Sequence, residues 1–146
     1  MIYTPLTKKA LLLAYDAHKG QLDRAGLPYI FHPYHLAEQM DDEISCCAAL
    51  LHDVVEDTEI TMDMLREEGF PEEVLEAVDL LTHRDGTDYF DYIRRIKGNA
   101  AAVKVKLADL EHNSDTSRLD SISPADEERL KKYTRAKDII LGKVTT

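Results

Sequence analysis

No run of about 18 apolar residues occurs in the chain, which argues against a membrane-crossing helix. The N-terminus has no apolar core of the kind that marks a secretory leader. Positive charge is scarce: 18 Lys and Arg stand against 28 Asp and Glu, a formal charge of −10. Such a balance disfavours binding to nucleic-acid polymers or membrane surfaces, both of which reward basic residues. It also means that an anionic small-molecule ligand would need a local source of positive charge, which a bound cation would supply. Cysteine is confined to the neighbours Cys46 and Cys47. That excludes a disulfide framework, and a bridge between adjacent residues would strain a helix. Both are expected as buried thiols in a reducing, cytoplasmic setting. Sustained period-two alternation, hairpin turn dipeptides and internal repeats are all missing. The one strand-like stretch, Val103-Lys104-Val105-Lys106-Leu107, runs on into a helical pattern.

What is present is an ordinary globular balance, 44% hydrophobic and 32% charged over 146 residues. This length is expected to make one domain, 1–146, with a sizeable core. Helix caps punctuate the chain. Thr4-Pro5 opens a first helix that ends before Gly20. A polar loop, 21–31, precedes His32-Pro33, which reads as the N-cap and first position of a second helix to about Met40. A third is expected from Asp42 to Glu56, a short fourth from Thr61 to Gly69 and a fifth from Pro71. A sixth should span Asp88–Lys97, a seventh Ala100–Arg118, and an eighth should start at Ser123-Pro124 and end near Gly142. The fold class is all-α, a single-domain helical bundle. Its core should include Leu11, Ala14, Ala48, Ala49, Leu50, Leu51, Val78, Leu81, Ile93, Leu107 and Leu110.

Three stretches carry groups suited to chemistry. In Ala48-Ala49-Leu50-Leu51-His52-Asp53-Val54-Val55-Glu56-Asp57-Thr58, a His-Asp pair and a Glu-Asp pair lie four residues apart. On one helix they would share a face. The segment reads either as a capped amphipathic helix with a solvated acidic end, or as a site for a divalent metal and proton transfer. In the second stretch Asp109, His112, Asn113 and Thr116 line one helical face. Such stripes are usually solvated, but the apolar residues around them leave no clean apolar face. His32, before Pro33, is more often a helix cap than a ligand.

Taken in order, Gly20-Gln21, Gly26-Leu27-Pro28-Tyr29-Ile30-Phe31-His32-Pro33, His52-Asp53-Val54-Val55-Glu56-Asp57-Thr58 and Lys106-Leu107-Ala108-Asp109 with His112-Asn113 resemble the HD-domain phosphohydrolases. Within them they are similar to the guanosine tetraphosphate (ppGpp) 3′-pyrophosphohydrolase module of RelA/SpoT-type proteins and the stand-alone small alarmone hydrolases. The resemblance spans roughly residues 4–141. It implies an all-α HD domain and one divalent ion held by His32, His52, Asp53 and Asp109. Mn²⁺ is the first expectation, with Fe²⁺, Zn²⁺ and Co²⁺ also matching this donor set. Such an ion polarises a phosphorus centre and activates water. Glu56 and Asp57 are implied as the catalytic acid–base groups, and Arg24, Lys106, Asn113 and Thr116 as substrate contacts. The substrate is implied to be a small nucleotide, with self-association left open. No synthetase or regulatory domain is expected to fit in the remaining sequence.

Two positions depart from the pattern. Asp23 stands where the ppGpp hydrolases tend to have Arg, and Asp115 replaces another Arg. Each puts an anion near the expected substrate mouth. Three readings follow in descending order: a ppGpp 3′-pyrophosphohydrolase releasing pyrophosphate; an HD phosphohydrolase for a different nucleotide or phosphate ester; and a catalytically silent metal- or nucleotide-binding module.

Overall fold

The computed structural model describes residues 1–143 and is all helical, with one isolated bridge, Leu22 to Pro28, inside a loop. Among the described residues the helices are α1 (Pro5–Ala17), α2 (Phe31–Glu38), α3 (Glu43–Leu51), α4 (Val54–Asp57), α5 (Met62–Glu67), α6 (Glu72–Leu81), α7 (Tyr89–Ile96), α8 (Ala100–Ser114) and α9 (Pro124–Ile140).

Caps set most of the boundaries. Thr4 and Thr7 form a reciprocal capping box ahead of Pro5, and Ser123 does the same with Asp126 ahead of α9. Asp42, Thr61 and Asp88 each accept from backbone N–H groups in the next turn. The centre of the bundle is α3, whose residues from Ser45 to Leu51 are all buried. It packs against α1, α2, α6 and α8, so the segment ending in His52-Asp53 is delivered to the molecule's interior.

Four expectations change. The third helix does not reach Glu56: α3 stops at Leu51, and α4 restarts at Val54. At the break, the His52 ring Nδ1 lies 2.6 Å from the Ala49 carbonyl oxygen. The backbone helical geometry resumes as Asp57 N–H donates to the Asp53 carbonyl. His32 is not a cap: α2 begins at Phe31, two residues before the expected first position, and His32 sits buried in its first turn. The helix holding Asp109 ends at Ser114 rather than Arg118, because Asp115 is extended (φ −78°, ψ 111°). Leu11 and Leu107 are half-buried against the core, whereas Ala10 and Val105 are inside it. The buried residues of α8 are Ala102, Val105, Lys106, Ala108, Asp109 and Leu110, and all but Ala108 form a stripe with helical spacing. Two charged residues belong to that stripe, which is why its hydrophobic pattern is misleading.

Candidate metal centre and active cleft

His32 comes from α2, His52 from the end of α3, Asp53 from the start of α4 and Asp109 from α8; α2, α3 and α8 pack on one another. The sequence separates the groups by up to 77 residues, yet His32 Nε2 lies 2.8 Å from Asp109 Oδ1. His52 Nε2 lies 2.9 Å from Asp53 Oδ2 and 3.4 Å from Asp109 Oδ1. His32 Nε2 lies 3.9 Å from Asp53 Oδ2. One donor atom each from His32, His52 and Asp109 falls within 4.8 Å of the others, and the same holds for Asp53, Glu56 and Asp57. Asp53 touches the first group and belongs to the second.

The donor set fits a divalent cation. His52 Nδ1 faces the Ala49 carbonyl, which requires a proton on Nδ1 and leaves Nε2 a lone pair in the neutral ring. That Nε2 is buried and has no hydrogen bond of acceptable direction, although two carboxylate oxygens lie close. Lone pairs converging on one point need a positive charge there. The electrostatics agree. Burial pushes the His52 imidazole down, but Asp53 and Asp109 outweigh it and hold it well above its ordinary value. Burial opposes ionisation of Asp53 as well, yet His52 holds its carboxyl at about 2. Mixed imidazole and carboxylate donors suit several first-row divalent ions.

Surrounding groups fix the donors in place. Lys106 Nζ donates to Asp109 Oδ2 at 2.8 Å, and Asn113 Nδ2 donates to Oδ1 at 3.1 Å. Burial alone would raise the Asp109 carboxyl; Lys106 and the two imidazoles hold it well below the usual carboxylate range. His32 Nδ1 faces His112 Nδ1 at 2.7 Å, and the two rings stack. Burial and the neighbouring His32 push His112 down to about 4, so it is neutral and able to accept. The Tyr29 hydroxyl donates to Asp53 Oδ2.

Glu56 and Asp57 stand beside these donors. Glu56 Oε1 accepts from the His83 backbone N–H at 2.7 Å, and Gln21 Nε2 donates to the Asp57 carbonyl at 3.0 Å. Burial raises the Glu56 carboxyl. Burial, with the charges of Asp53 and Glu56, pushes Asp57 up to about 6. Carboxylates poised towards neutrality are suited to proton transfer.

All of this opens into a cleft of about 430 Å³, a size suited to a nucleotide. Its lining includes Arg24, Lys106, Asn113, Asp115 and Arg118. Thr116, past the end of α8, is not on the lining. The ammonium of Lys106 is committed to Asp109, so it is less available to a ligand than the sequence suggests. Asp23 is not a free anion at the mouth. Its Oδ1 accepts from the N–H groups of Ala25 and Leu27, and its Oδ2 accepts from Arg118 Nη1 at 3.0 Å. Asp115 is exposed and accepts only from Ser117 N–H among the described residues.

The motif residues His32, Asp53, Glu56, Asp57 and Asp109 form only part of the cleft wall. The structure adds Leu81 and His83, then Tyr89 and Tyr92 of α7, and Lys132 and Tyr133 of α9. Tyr29 lay inside a motif and could have been picked from it. The His83 contact is a backbone one and has no side-chain signature.

A family model described as "HD domain" matches residues 10–107, two thirds of the chain, and ends just before Asp109. Among curated proteins, a guanosine-3′,5′-bis(diphosphate) 3′-pyrophosphohydrolase of Haemophilus influenzae is 36% identical over 139 residues, covering 84% of this chain and 20% of that protein. The bifunctional (p)ppGpp synthase/hydrolase SpoT of Escherichia coli is 34% identical over 142 residues, covering 87% of this chain and 20% of that protein. The chain thus spans about a fifth of the length of these relatives. Among solved structures, one described as a metazoan ortholog of SpoT that hydrolyzes ppGpp superposes with a TM-score of 0.77 at 23% identity, covering 97% of this chain and 89% of that one. That likeness establishes the shared fold. With two thirds of its length matched and the His52-Asp53 pair set in a ring of imidazoles and carboxylates, the chain belongs to the HD-domain family.

Proposed function

We propose that this chain is a metal-dependent phosphohydrolase that removes the 3′-diphosphate of guanosine 3′,5′-bis(diphosphate), releasing pyrophosphate and leaving guanosine 5′-diphosphate. The observation that carries the reading is the convergence of His32, His52 and Asp109, with Asp53, Glu56 and Asp57 beside them, at a nucleotide-sized cleft that all of them line except the buried His52. The names borne by the relatives from Haemophilus influenzae and Escherichia coli support the choice of substrate. The proposal concerns the hydrolase module, the part shared with those longer proteins.

His32, His52, Asp53 and Asp109 would hold the divalent ion, Mn²⁺ by our reading. The ion supplies Lewis-acid polarisation of the phosphate. The chain's own residues do the rest. A water attacks the phosphorus attached to the ribose 3′ oxygen, the bond between them breaks, and the 3′ oxygen takes a proton. Asp57, raised to about 6, is the base that accepts the water's proton. Glu56, oriented by the His83 N–H, orients that water and returns a proton to the leaving oxygen. Arg24 and Asn113, on the cleft lining, contact the nucleotide. Lys106 keeps Asp109 ionised and aimed. The reading includes a cytoplasmic setting, which the buried free thiols of Cys46 and Cys47 support.

A second reading, an HD phosphohydrolase for a different nucleotide, is favoured by one observation: Asp115 is an exposed carboxylate on the cleft lining. The test is incubation of the Mn²⁺-loaded protein with a nucleotide panel that includes ppGpp, with products identified by mass. Specific loss of the 3′-diphosphate supports the first reading. Turnover of other nucleotides alone supports the second.

A further inference from the structure

α1 ends at Ala17, with His18 as its C-cap. The chain then reverses through Gly20, whose φ of +87° is open to glycine and strained for other residues. The turn brings the Gln21 N–H to the His18 carbonyl at 3.0 Å. It also sets the two side chains together, with His18 Nδ1 2.8 Å from Gln21 Oε1. Gln21 reaches on in two directions. Its Nε2 donates to the Asp57 carbonyl at 3.0 Å, and its own carbonyl accepts from the Tyr29 N–H at 2.9 Å. The His18 ring centroid lies 4.9 Å from that of Tyr29, whose hydroxyl donates to Asp53 Oδ2.

Asp57 needs such a tie. α4 is a single turn of four residues, too short to hold its own conformation. Glu56 is fixed at its carboxylate by the His83 N–H. The Asp57 carboxylate lines the cleft and makes no hydrogen bond among the described residues. Its aim is therefore set by its backbone, and Gln21 holds that backbone from outside α4. The protons are determined as well. A carbonyl only accepts, so Gln21 turns its amide nitrogen to Asp57 and its oxygen to His18. That oxygen also only accepts, so His18 carries its proton on Nδ1. Burial holds the ring below its ordinary value and hence neutral, which leaves Nε2 with a lone pair. His18 is 2% exposed, and this Nε2 is buried without a hydrogen-bond partner. An unmatched buried acceptor is destabilising, so packing alone would favour an apolar side chain here. Among the described residues, the one hydrogen bond the ring makes is to Gln21.

We infer that His18 and Gln21 are positioning residues: His18 locks the Gln21 amide, and the amide holds the Asp57 backbone so that its carboxylate faces the donor cluster. The inference rests on the phosphohydrolase reading for the role of Asp57 as base. Both residues stand off the cleft lining and act through their neighbours.

The test measures kcat, KM for guanosine 3′,5′-bis(diphosphate), bound Mn²⁺ and Tm in the Mn²⁺-loaded protein and in His18→Leu, His18→Asn and Gln21→Met. His18→Leu and Gln21→Met should each lower kcat by about tenfold or more, with KM within about twofold and a stoichiometric ion retained. His18→Leu removes the unmatched Nε2 and should melt no lower than the unmodified chain. His18→Asn keeps an N–H donor near the place of Nδ1 but fills the space less well. It should melt lower and yet recover most of the kcat. Gln21 is half-buried, so Gln21→Met should fold even where a His18 variant does not, and its kcat then decides. A kcat loss that follows Tm across the variants, a loss accounted for by missing metal, or a change under about twofold in Gln21→Met overturns the inference and leaves the phosphohydrolase reading intact. If the unmodified chain turns over nothing, that reading fails, and amide hydrogen exchange decides the placement of Asp57. Exchange at Asp57 and Thr58 faster by about tenfold in Gln21→Met, with α3 unchanged, upholds it; a change under about twofold overturns it.

Discussion

Lys106 and Asp109, one helical turn apart on α8, form a buried ion pair with Nζ 2.8 Å from Oδ2. The pair keeps the other oxygen of Asp109 facing His32 and His52. Removing one partner of a buried pair leaves an uncompensated charge and costs about 3–5 kcal/mol. Lys106→Met should therefore lower the Tm of the metal-free protein by about 10 °C. Added Mn²⁺ should recover part of the loss, because a cation at the donors neutralises the same carboxylate. Thermal melts with and without metal check this; an unchanged melting point contradicts the role given to the pair.

His112 should act through His32. With His112 neutral and its Nδ1 2.7 Å from His32 Nδ1, it orients the ring that presents Nε2 to the donor cluster. Outer partners of ligating imidazoles typically contribute about 10–100-fold in metal affinity. His112→Ala should weaken Mn²⁺ binding by that factor and leave per-metal turnover at saturating Mn²⁺ close to that of the unmodified chain. Metal titration followed by calorimetry, with activity measured at saturation, separates the two effects.

The rate should depend on pH through Asp57. Its carboxyl is pushed up to about 6 by burial and by Asp53 and Glu56. A base must be deprotonated to act, so activity is present above that value and falls as pH drops through it. A bound cation draws the value lower, which places the acid limb at or below about 6. Asp57→Asn should remove this limb and lower turnover by about 10²–10⁴-fold. A pH–rate profile with an unchanged acid limb in the variant assigns the titration to another group.

Asp23 holds its loop and Arg118 together. Two backbone N–H groups and the Arg118 guanidinium depend on its carboxylate. Asp23→Arg would set two cations against each other and free two N–H groups. It should therefore raise KM and increase proteolysis within 21–29, even though it adds positive charge near an anionic substrate. Limited proteolysis and steady-state kinetics check this; an improved KM with an intact loop would show that net charge outweighs loop order.

The sequence made the helical class and the caps legible because Thr4, Asp42, Thr61, Asp88 and Ser123 cap by local hydrogen bonds that need no tertiary context. The motif residues His32, His52, Asp53 and Asp109 were also readable in order, and the structure brings their side chains together. The break between α3 and α4 was not legible, since nothing in Leu51-His52-Asp53-Val54 is a helix breaker. At that break the His52 ring meets the Ala49 carbonyl, a side-chain contact that the order of residues does not announce. Lys132 and Tyr89 escaped notice because they sit on helices remote in sequence from every motif. The anion at Asp23 was visible, but its partner Arg118, 95 residues away, was not.

The division of labour between metal donors and proton-transfer groups is the centre of this account. It is tested most directly by measuring metal content and 3′-diphosphate release on the same samples of the unmodified chain, His52→Ala and Glu56→Gln. The account predicts that His52→Ala loses metal and activity together. It predicts that Glu56→Gln keeps a stoichiometric ion while turnover falls by about 10²–10⁴-fold. Stoichiometric metal in His52→Ala, or loss of metal with unchanged per-metal turnover in Glu56→Gln, would contradict it.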